Sequence, residues 1–481
     1  MIFFIMRKPP SSKINFDSID IALPSNSTGS STGTIQLRIY LPEEGNTRYP
    51  SGAPVLIWGY GGGDPGALGN PLPPVNDSIV INFLYPGGKD EWADQQSDGV
   101  YDYRGENSIA ALRDVILFAA GELKDDIGRT IDEIVPVTVL HDNIGLLGAS
   151  FGGNIIVAVA AFHGVELTDY LQFIIQWETP VSSQIATLDL GRVLPAPGEA
   201  GTQLDLYNPR YLAFGKQQLA VNYSDLTFNP TNEYYPIFHD GTGDGEYTTI
   251  PATGSGLQTP DLNFDGSLSL EEDFPINYFM FEPINSKRYY SRSVTHALRD
   301  NNITAPWPSE IATPEEADAF WDIREAVRLY DQAVSKMPHL KAMVLCNERD
   351  HVQSHPAKPH IQQAFDGWND QGVWVRINPS PSYVRGVNPT ITIPSLPDNS
   401  PNVPPSNWSD HASYCIPKKI GAEIYQAAAF WEMADLVQEN IVTSCTKQST
   451  ILLRFSLLRI EFSQMICLTK IDFKIAKLSS Y

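Results

Sequence analysis

Four cysteines in 481 residues are too few for a disulfide-built scaffold, so a packed core must carry the fold, with room for one or two bridges. Positive charge is also scarce: 33 Lys and Arg stand against 56 Asp and Glu, a formal net charge of −23. A surface this negative repels phosphate backbones, which argues against a nucleic-acid partner. Long apolar runs are missing as well. Met1-Ile-Phe-Phe-Ile-Met6 gives six apolar residues before Arg7 and Lys8, too few for a signal-peptide core or a membrane span. No heptad, collagen or domain-sized repeat is present. What remains is ordinary globular composition, 42% hydrophobic and 19% charged. The length suits about three units of about 150 residues, or one large core with insertions.

The end of the chain differs from the rest. From 441 to 481, six basic residues (Lys447, Arg454, Arg459, Lys470, Lys474, Lys477) face two acids, Glu461 and Asp472, and Cys445 and Cys467 also lie here. Arg454, Arg459 and Glu461 interrupt the apolar run, which argues against a spanning helix. The expectation is an atypical tail.

Between these ends, short apolar runs alternate with helical patterns. Pro54-Val-Leu-Ile-Trp58, Ile79–Leu84, Asn143–Leu147, Leu171–Ile175, Lys341–Leu345 and Gly372–Ile377 read as buried strands. Ile109, Leu112, Val115, Ile116, Ala119 and Ala120 line one face of a helix over Asn107–Leu123. Further helices are expected over Gly153–His163, His355–Trp368 and Ile420–Val437. This alternation predicts an α/β fold with a mainly parallel sheet covered on both faces. It breaks between Pro180 and Met337, a stretch rich in Asn, Asp, Gly, Pro and Tyr. That stretch is expected to be a large inserted cap. A second insertion, Asn378–Trp408, holds eight prolines and is expected to be a stiff, non-helical loop. The organisation expected is an N-terminal extension with leading strands (1–49), a core (50–180 and 337–440), an inserted cap (181–336) and a tail (441–481).

Gly148-Ala-Ser150-Phe-Gly152 matches G-x-S-x-G. The pattern alone is weak, but a buried strand leads in and an apolar helix leads out, the context it requires. The small flanking residues allow a sharp turn that raises the Ser150 hydroxyl above the sheet. A serine hydroxyl needs a base to become a nucleophile, and acid and histidine follow it in that chain order. Asp350 lies in Asn347-Glu-Arg-Asp-His-Val352, just past a strand, with Glu348 as its rival. His411, in Trp408-Ser-Asp-His411, is the histidine downstream of the final strand. His351, His355 and His360 cluster locally but precede that strand and have no cysteine partners at zinc spacing.

With these residues in place, the chain resembles the α/β-hydrolase family over roughly 50–180 and 337–440. The resemblance rests on the elbow, Asp350, His411 and the loop Gly59-Tyr-Gly-Gly-Gly63. It implies catalytic Ser150, Asp350 and His411, and an oxyanion hole from the backbone N–H groups of Tyr60 and Phe151, donors aimed at developing charge. Trp58-Gly59 stands where lipases of the family carry His-Gly, and the Gly-Tyr pair looks more like cutinase-like polyester hydrolases. Trp177 is a candidate substrate contact. Cys346 precedes Asp350 by four residues and Cys415 follows His411 by four. Since acid and base must touch, the two cysteines should be neighbours, either bridged, as in some polyester hydrolases, or as two buried thiols.

Asp261-Leu-Asn263-Phe-Asp265-Gly266-Ser267-Leu-Ser269-Leu-Glu-Glu272 fits the EF-hand loop pattern throughout. Asp261, Asn263 and Asp265 offer side-chain oxygens, Ser267 its carbonyl, Ser269 a water-mediated contact, and Glu272 a bidentate closure. Pro260 precedes it, so it resembles the calcium loops of secreted dockerin-like modules. Structural Ca²⁺ is expected, with no cofactor for catalysis. Asp240-Gly-Thr-Gly-Asp244-Gly245 is a shorter echo without the closing carboxylate.

Together these features predict a serine hydrolase acting on small-molecule or polymeric carboxylic esters. A serine peptidase, or a calcium-dependent surface-binding protein on an inactive hydrolase fold, is the alternative. The acidic surface, the calcium loop and N-x-S/T sites at Asn26, Asn76, Asn222, Asn302 and Asn407 lean toward an extracytoplasmic location.

Overall fold

The chain's structure is a computed structural model that describes residues 17–440 except 70–72, 74, 192–220, 222, 232–235, 248, 252–257, 261–272, 283–285, 304–306, 354–355 and 392–395. The residues of the expected calcium loop, Asp261, Asn263, Asp265, Ser267, Ser269 and Glu272, and the 441–481 tail, lie outside the described residues.

Eight strands form one sheet: β1 (Ser18–Pro24), β2 (Thr34–Tyr40), β3 (Ala53–Gly59), β4 (Ile79–Phe83), β5 (Val139–Ala149), β6 (Leu171–Trp177), β7 (Lys341–Leu345) and β8 (Val375–Ile377). Their spatial order is 1-2-4-3-5-6-7-8. β2 runs antiparallel to β1 and β4, and every pair from β4 through β8 is parallel. This is the α/β-hydrolase fold. All seven residues of β3 and all five of β4 are buried, which explains why they read as unbroken apolar runs: a parallel sheet is covered on both sides.

The helices show how. Gln176 on β6 donates to the Gly153 carbonyl (3.2 Å) at the start of α2 (Gly152–Leu167). Its own carbonyl accepts from Tyr330 (3.2 Å) and Trp368 (2.7 Å). Those residues lie on α5 (Tyr330–Lys336) and α6 (Pro359–Asn369). The alternate positions of β6 point the other way. Phe173 meets the ring of Phe430 (6.1 Å between centroids), and the Trp177 indole donates to Tyr425 (3.0 Å); both partners lie on the closing helix α8 (422–440). On the first side, α1 (Glu106–Ala119) buries Ile109, Leu112, Val115 and Ile116. α2 is buried along nearly its whole length, so its sequence is apolar all round rather than amphipathic.

Among the described residues, the main sheet gains no strand between Trp177 and Lys341. This insertion contains α3 (Arg292–Asp300), α4 (Pro314–Asp322) and a three-stranded antiparallel sheet of Leu226–Phe228, Ile237–His239 and Phe274–Pro275. It has its own apolar cluster of Leu226, Ile237, Ile276, Tyr290, Val294, Leu298 and Ile311. It is pinned to the core at Asn154, whose side chain donates to the Pro180 carbonyl (3.1 Å) and accepts from the Ala326 N–H (3.1 Å). Asp240 turns its carboxylate onto its own loop, accepting from the Gly243 (2.6 Å) and Gly245 (2.8 Å) N–H groups. By compactness the chain divides into residues 1–432 and 433–481; of the second unit, 433–440 are helical.

One expectation needs correction. The Pro-rich stretch after β8 is not free of helix, because α7 spans Pro381–Val387. Pro381 sits in its first turn, where no N–H is needed, and the next proline is Pro389. Likewise α6 starts at Pro359 rather than His355.

Candidate active site

β5 ends at Ala149, and Ser150 turns the chain into α2 with φ +49°. A non-glycine residue in this left-handed region costs about 1–3 kcal/mol and persists only when its surroundings enforce it. Here they do. The Ser150 N–H donates to the Trp177 carbonyl on the neighbouring strand (2.8 Å), and the Ser150 carbonyl accepts from the Gly153 N–H (3.0 Å). The Gly59–Gly63 loop presses on the same turn. A Cβ on Gly152 would lie 2.2 Å from the Gly59 carbonyl oxygen, and one on Gly61 would lie 2.3 Å from the Ala149 carbonyl oxygen. Glycine at both positions is therefore a steric demand. Among the described residues, no hydrogen bond engages the N–H of Tyr60 or Phe151.

Parallel register brings further chemistry to this edge. Ala149, Trp177 and Leu345 are cross-strand partners, so Ser150, Glu178 and Cys346 leave the sheet at one level. Glu178 (φ +46°) is almost wholly buried. Its Oε2 accepts from His351 Nδ1 (2.6 Å) and from the His351 backbone N–H (3.1 Å). A ring nitrogen held against a carboxylate carries the proton, so the neutral imidazole keeps its lone pair on Nε2. The His351 ring also lies against Trp177 (6.0 Å between centroids) and is about one-third exposed.

The sequence-derived acid and base sit differently. Asp350 is fully buried, and its Oδ2 accepts from His360 Nε2 of α6 (2.7 Å), both side chains having no exposed surface. Its Oδ1 accepts from the Val352 (2.8 Å) and Gln353 (3.1 Å) N–H groups. Burial alone would raise this carboxyl, but the charge and hydrogen bond of His360, then Lys358 and His351, hold it below its ordinary value. No hydrogen bond joins Asp350 to His411 among the described residues. His411 opens a single helical turn and is half-buried, with Nδ1 buried and unpartnered among the described residues. Burial, then the charge of Lys358, lower its affinity for a proton. Glu348 accepts from the Lys418 N–H (2.9 Å). Trp177 is committed to packing between Trp58 (6.4 Å between ring centroids), His351 and Tyr425.

Cys346 and Cys415 are joined by a disulfide with Cα atoms 5.1 Å apart. Backbone bonds run alongside: the Ile416 N–H donates to the Cys346 carbonyl (2.9 Å) and the Glu348 N–H to the Ile416 carbonyl (3.0 Å). The loop that carries His411 is thus zipped to the loop that carries Asp350 and His351, while no hydrogen bond joins Asp350 to His411 among the described residues.

Glu178, Asp350 and His351 also form the kind of group that holds a cation, with ligand atoms within 4.8 Å of one another. A metal would have to displace the His351–Glu178 hydrogen bond. Glu178 was open to the sequence: a carboxylate following a buried strand, in the chain order Ser150, Glu178, His351.

No family model matches the chain, and no curated protein matches it. Solved structures do. A carboxyl esterase from the mycorrhizal fungus Tuber melanosporum aligns with a TM-score of 0.34 and 14% identity, covering 76% of this chain and 77% of that one. An esterase from the archaeon Pyrobaculum calidifontis gives 0.25 and 16%, covering 36% and 49%. A bacterial heroin esterase gives 0.25 and 15%, covering 36% and 47%. The chain thus spans about half the length of these last two. At such scores the fold rests on the strand order above.

Proposed function

We propose that the chain is a serine hydrolase that cleaves carboxylic esters through an acyl-enzyme. The observation that carries this is Ser150 in a left-handed strand-to-helix turn, one strand away from a hydrogen-bonded Glu178–His351 couple. In this reading Ser150 Oγ attacks the ester carbonyl carbon and its proton passes to His351 Nε2. The N–H groups of Tyr60 and Phe151 donate to the oxyanion. The tetrahedral intermediate collapses, the alcohol leaves with the proton from His351, and water repeats the sequence on the acyl-enzyme. Glu178 orients the ring and stabilises the imidazolium. The pair named by chain order, Asp350 and His411, is the competing assignment.

The test is a panel of p-nitrophenyl esters, polyester film and peptide anilides, with fluorophosphonate labelling of the native protein and of Ser150→Ala. Ester turnover and labelling should both vanish in the variant while its melting curve is unchanged. Labelling that survives the substitution would sink the assignment. Cleavage of anilides but not esters would make the chain a peptidase.

For the 261–272 loop, the donor set is one amide and three carboxylate side chains with serine oxygens, hard ligands suited to Ca²⁺. We assign the ion a structural role. Calcium should raise the melting temperature of the native protein and not that of Asp265→Ala with Glu272→Gln. Identical curves with and without calcium would remove the ion. The Cys346–Cys415 bridge supports an oxidising, extracytoplasmic setting.

A further inference from the structure

Arg104 is 2% exposed. Its guanidinium points into the Gly59–Gly63 loop and donates to backbone carbonyls there: Nε to Tyr60 (2.9 Å), Nη1 to Gly62 (2.6 Å), and Nη2 to Gly61 (2.7 Å) and Asp64 (3.1 Å). Three successive peptide planes of a glycine-rich loop are fixed by one planar cation, a task for which the rigid fork of arginine is suited and lysine is not. The same guanidinium lies 5.8 Å over the Phe151 ring. One buried positive charge therefore faces both segments assigned to the oxyanion site.

Arg104 is itself held from the insertion. Tyr103 and Arg104 both have positive φ (+52° and +63°). Arg324, two residues past α4, donates to the carbonyls of Asp102 (2.6 Å), Tyr103 (2.9 Å) and Phe320 (2.9 Å). Its guanidinium is stacked 4.0 Å over Phe320. Burial lowers the Arg324 pKa to about 10, so it stays charged at neutral pH. The Asp102 carboxylate caps α1 through the Gly105 (3.0 Å) and Asn107 (2.7 Å) N–H groups. A Cβ on Gly105 would lie 2.6 Å from Arg324 Nη2, so the fit leaves no slack. From the other side, Phe279 of the insertion stacks on Phe151 (4.1 Å between centroids).

We propose that Arg104 and Arg324 form a positioning relay, through which the 178–340 insertion sets the geometry of the oxyanion loop next to Ser150. This rests on the serine-hydrolase reading above. The insertion then does more than cover the site: a carbonyl-binding arginine on each side of one strained turn transmits its docking to the donors that meet the transition state.

The experiment compares wild type, Arg104→Lys and Arg324→Gln. Readouts are kcat and KM on a short p-nitrophenyl ester, the affinity for a trifluoromethyl ketone against that for the matching unreactive alcohol, and hydrogen exchange over residues 59–64. A displacement of about 1 Å at a reacting centre costs on the order of 100-fold. Arg104→Lys should therefore lower kcat about 10- to 100-fold with KM nearly unchanged, and weaken the ketone but not the alcohol. Arg324→Gln should move the same quantities about three- to tenfold, with faster exchange at Gly61–Gly63. If Arg104→Lys does not fold, Arg324→Gln decides. Kinetics and exchange equal to wild type in a folded variant would overturn the relay. So would equal losses of ketone and alcohol affinity, which mark a collapsed pocket. Wild type that neither turns over ester nor takes the fluorophosphonate label overturns the serine-hydrolase reading and the relay with it; a fully active wild type beside a fully active Arg104→Lys overturns the relay alone.

Discussion

Two histidine–carboxylate pairs stand side by side in this molecule, and they are chemically alike but physically opposite. Glu178–His351 (2.6 Å) lies at the carboxyl edge of the sheet, with its ring about one-third exposed. Asp350–His360 (2.7 Å) is sealed, with both side chains at zero exposure and the second carboxylate oxygen bound to backbone N–H groups. The first has a partly exposed imidazole. The second is an element of the core, in which a buried carboxylate keeps its hydrogen-bond partner because removing that partner leaves an uncompensated charge. Adjacent residues, Asp350 and His351, thus sit in different environments.

The comparison breaks most sharply on activity. Replacing His351 by Asn, or Glu178 by Gln, should lower kcat about 10²- to 10⁴-fold, the usual contribution of general acid–base catalysis, with little change in melting temperature. Steady-state kinetics on folded protein measures it. Near-normal turnover in both variants would return the role to Asp350 and His411.

Stability is the next handle. Asp350→Asn should cost about 3–5 kcal/mol, because it strips a buried partner from His360, while turnover per folded molecule stays within about tenfold. Denaturant titration separates the two quantities. The same pair sets an acid limit. The Asp350 carboxyl is held below its unfolded value of 3.8, so its contribution is fully present above that pH and is lost as pH falls through the lower folded value. Wild type should lose stability in that window more steeply than Asp350→Asn, and parallel pH–stability curves would contradict the pairing.

Reduction of the Cys346–Cys415 bridge should destabilise by about 2–4 kcal/mol, the typical disulfide contribution. It should loosen the loop that carries Asp350 more than Glu178, which hangs from β6 and bonds the Leu345 carbonyl (3.1 Å). Hydrogen exchange over 346–353 against 177–179 reads this, and equal loosening would remove the distinction. His411→Ala is the smallest of the set, changing turnover by less than about tenfold. A loss as large as that of His351→Asn would make His411 the base.

Much of the fold was legible because parallel strands leave a plain trace. Pro54–Trp58, Ile79–Leu84 and Lys341–Leu345 are buried on both faces, so their apolar runs correspond to β3, β4 and β7 within one or two residues. The strand-to-helix turn at Ser150 was legible because Gly148 and Gly152 meet local steric demands that nearby residues impose. The pairing of Asp350 was not legible. Its partner His360 is ten residues away on α6, and chain order cannot tell a histidine turned into the core from one turned to solvent. Glu178 was masked for a related reason: its significance lies in the register of β6 between β5 and β7.

The strand-and-helix alternation and the turn at Ser150 could be read from the chain alone, as could the long stretch of different pattern between two strands that are neighbours in the sheet. Each of these depends on periodicity or on backbone sterics within a few residues. Long-range packing settled which carboxylate meets which histidine, and that Arg104 binds the carbonyls of residues 60–62 and 64 while Arg324, more than 200 residues further on, binds the turn beneath it. Such contacts are fixed by the packing of the insertion against the sheet edge. Their energy comes from burying charged donors on matched acceptors, and no local pattern in the chain encodes where those acceptors will be.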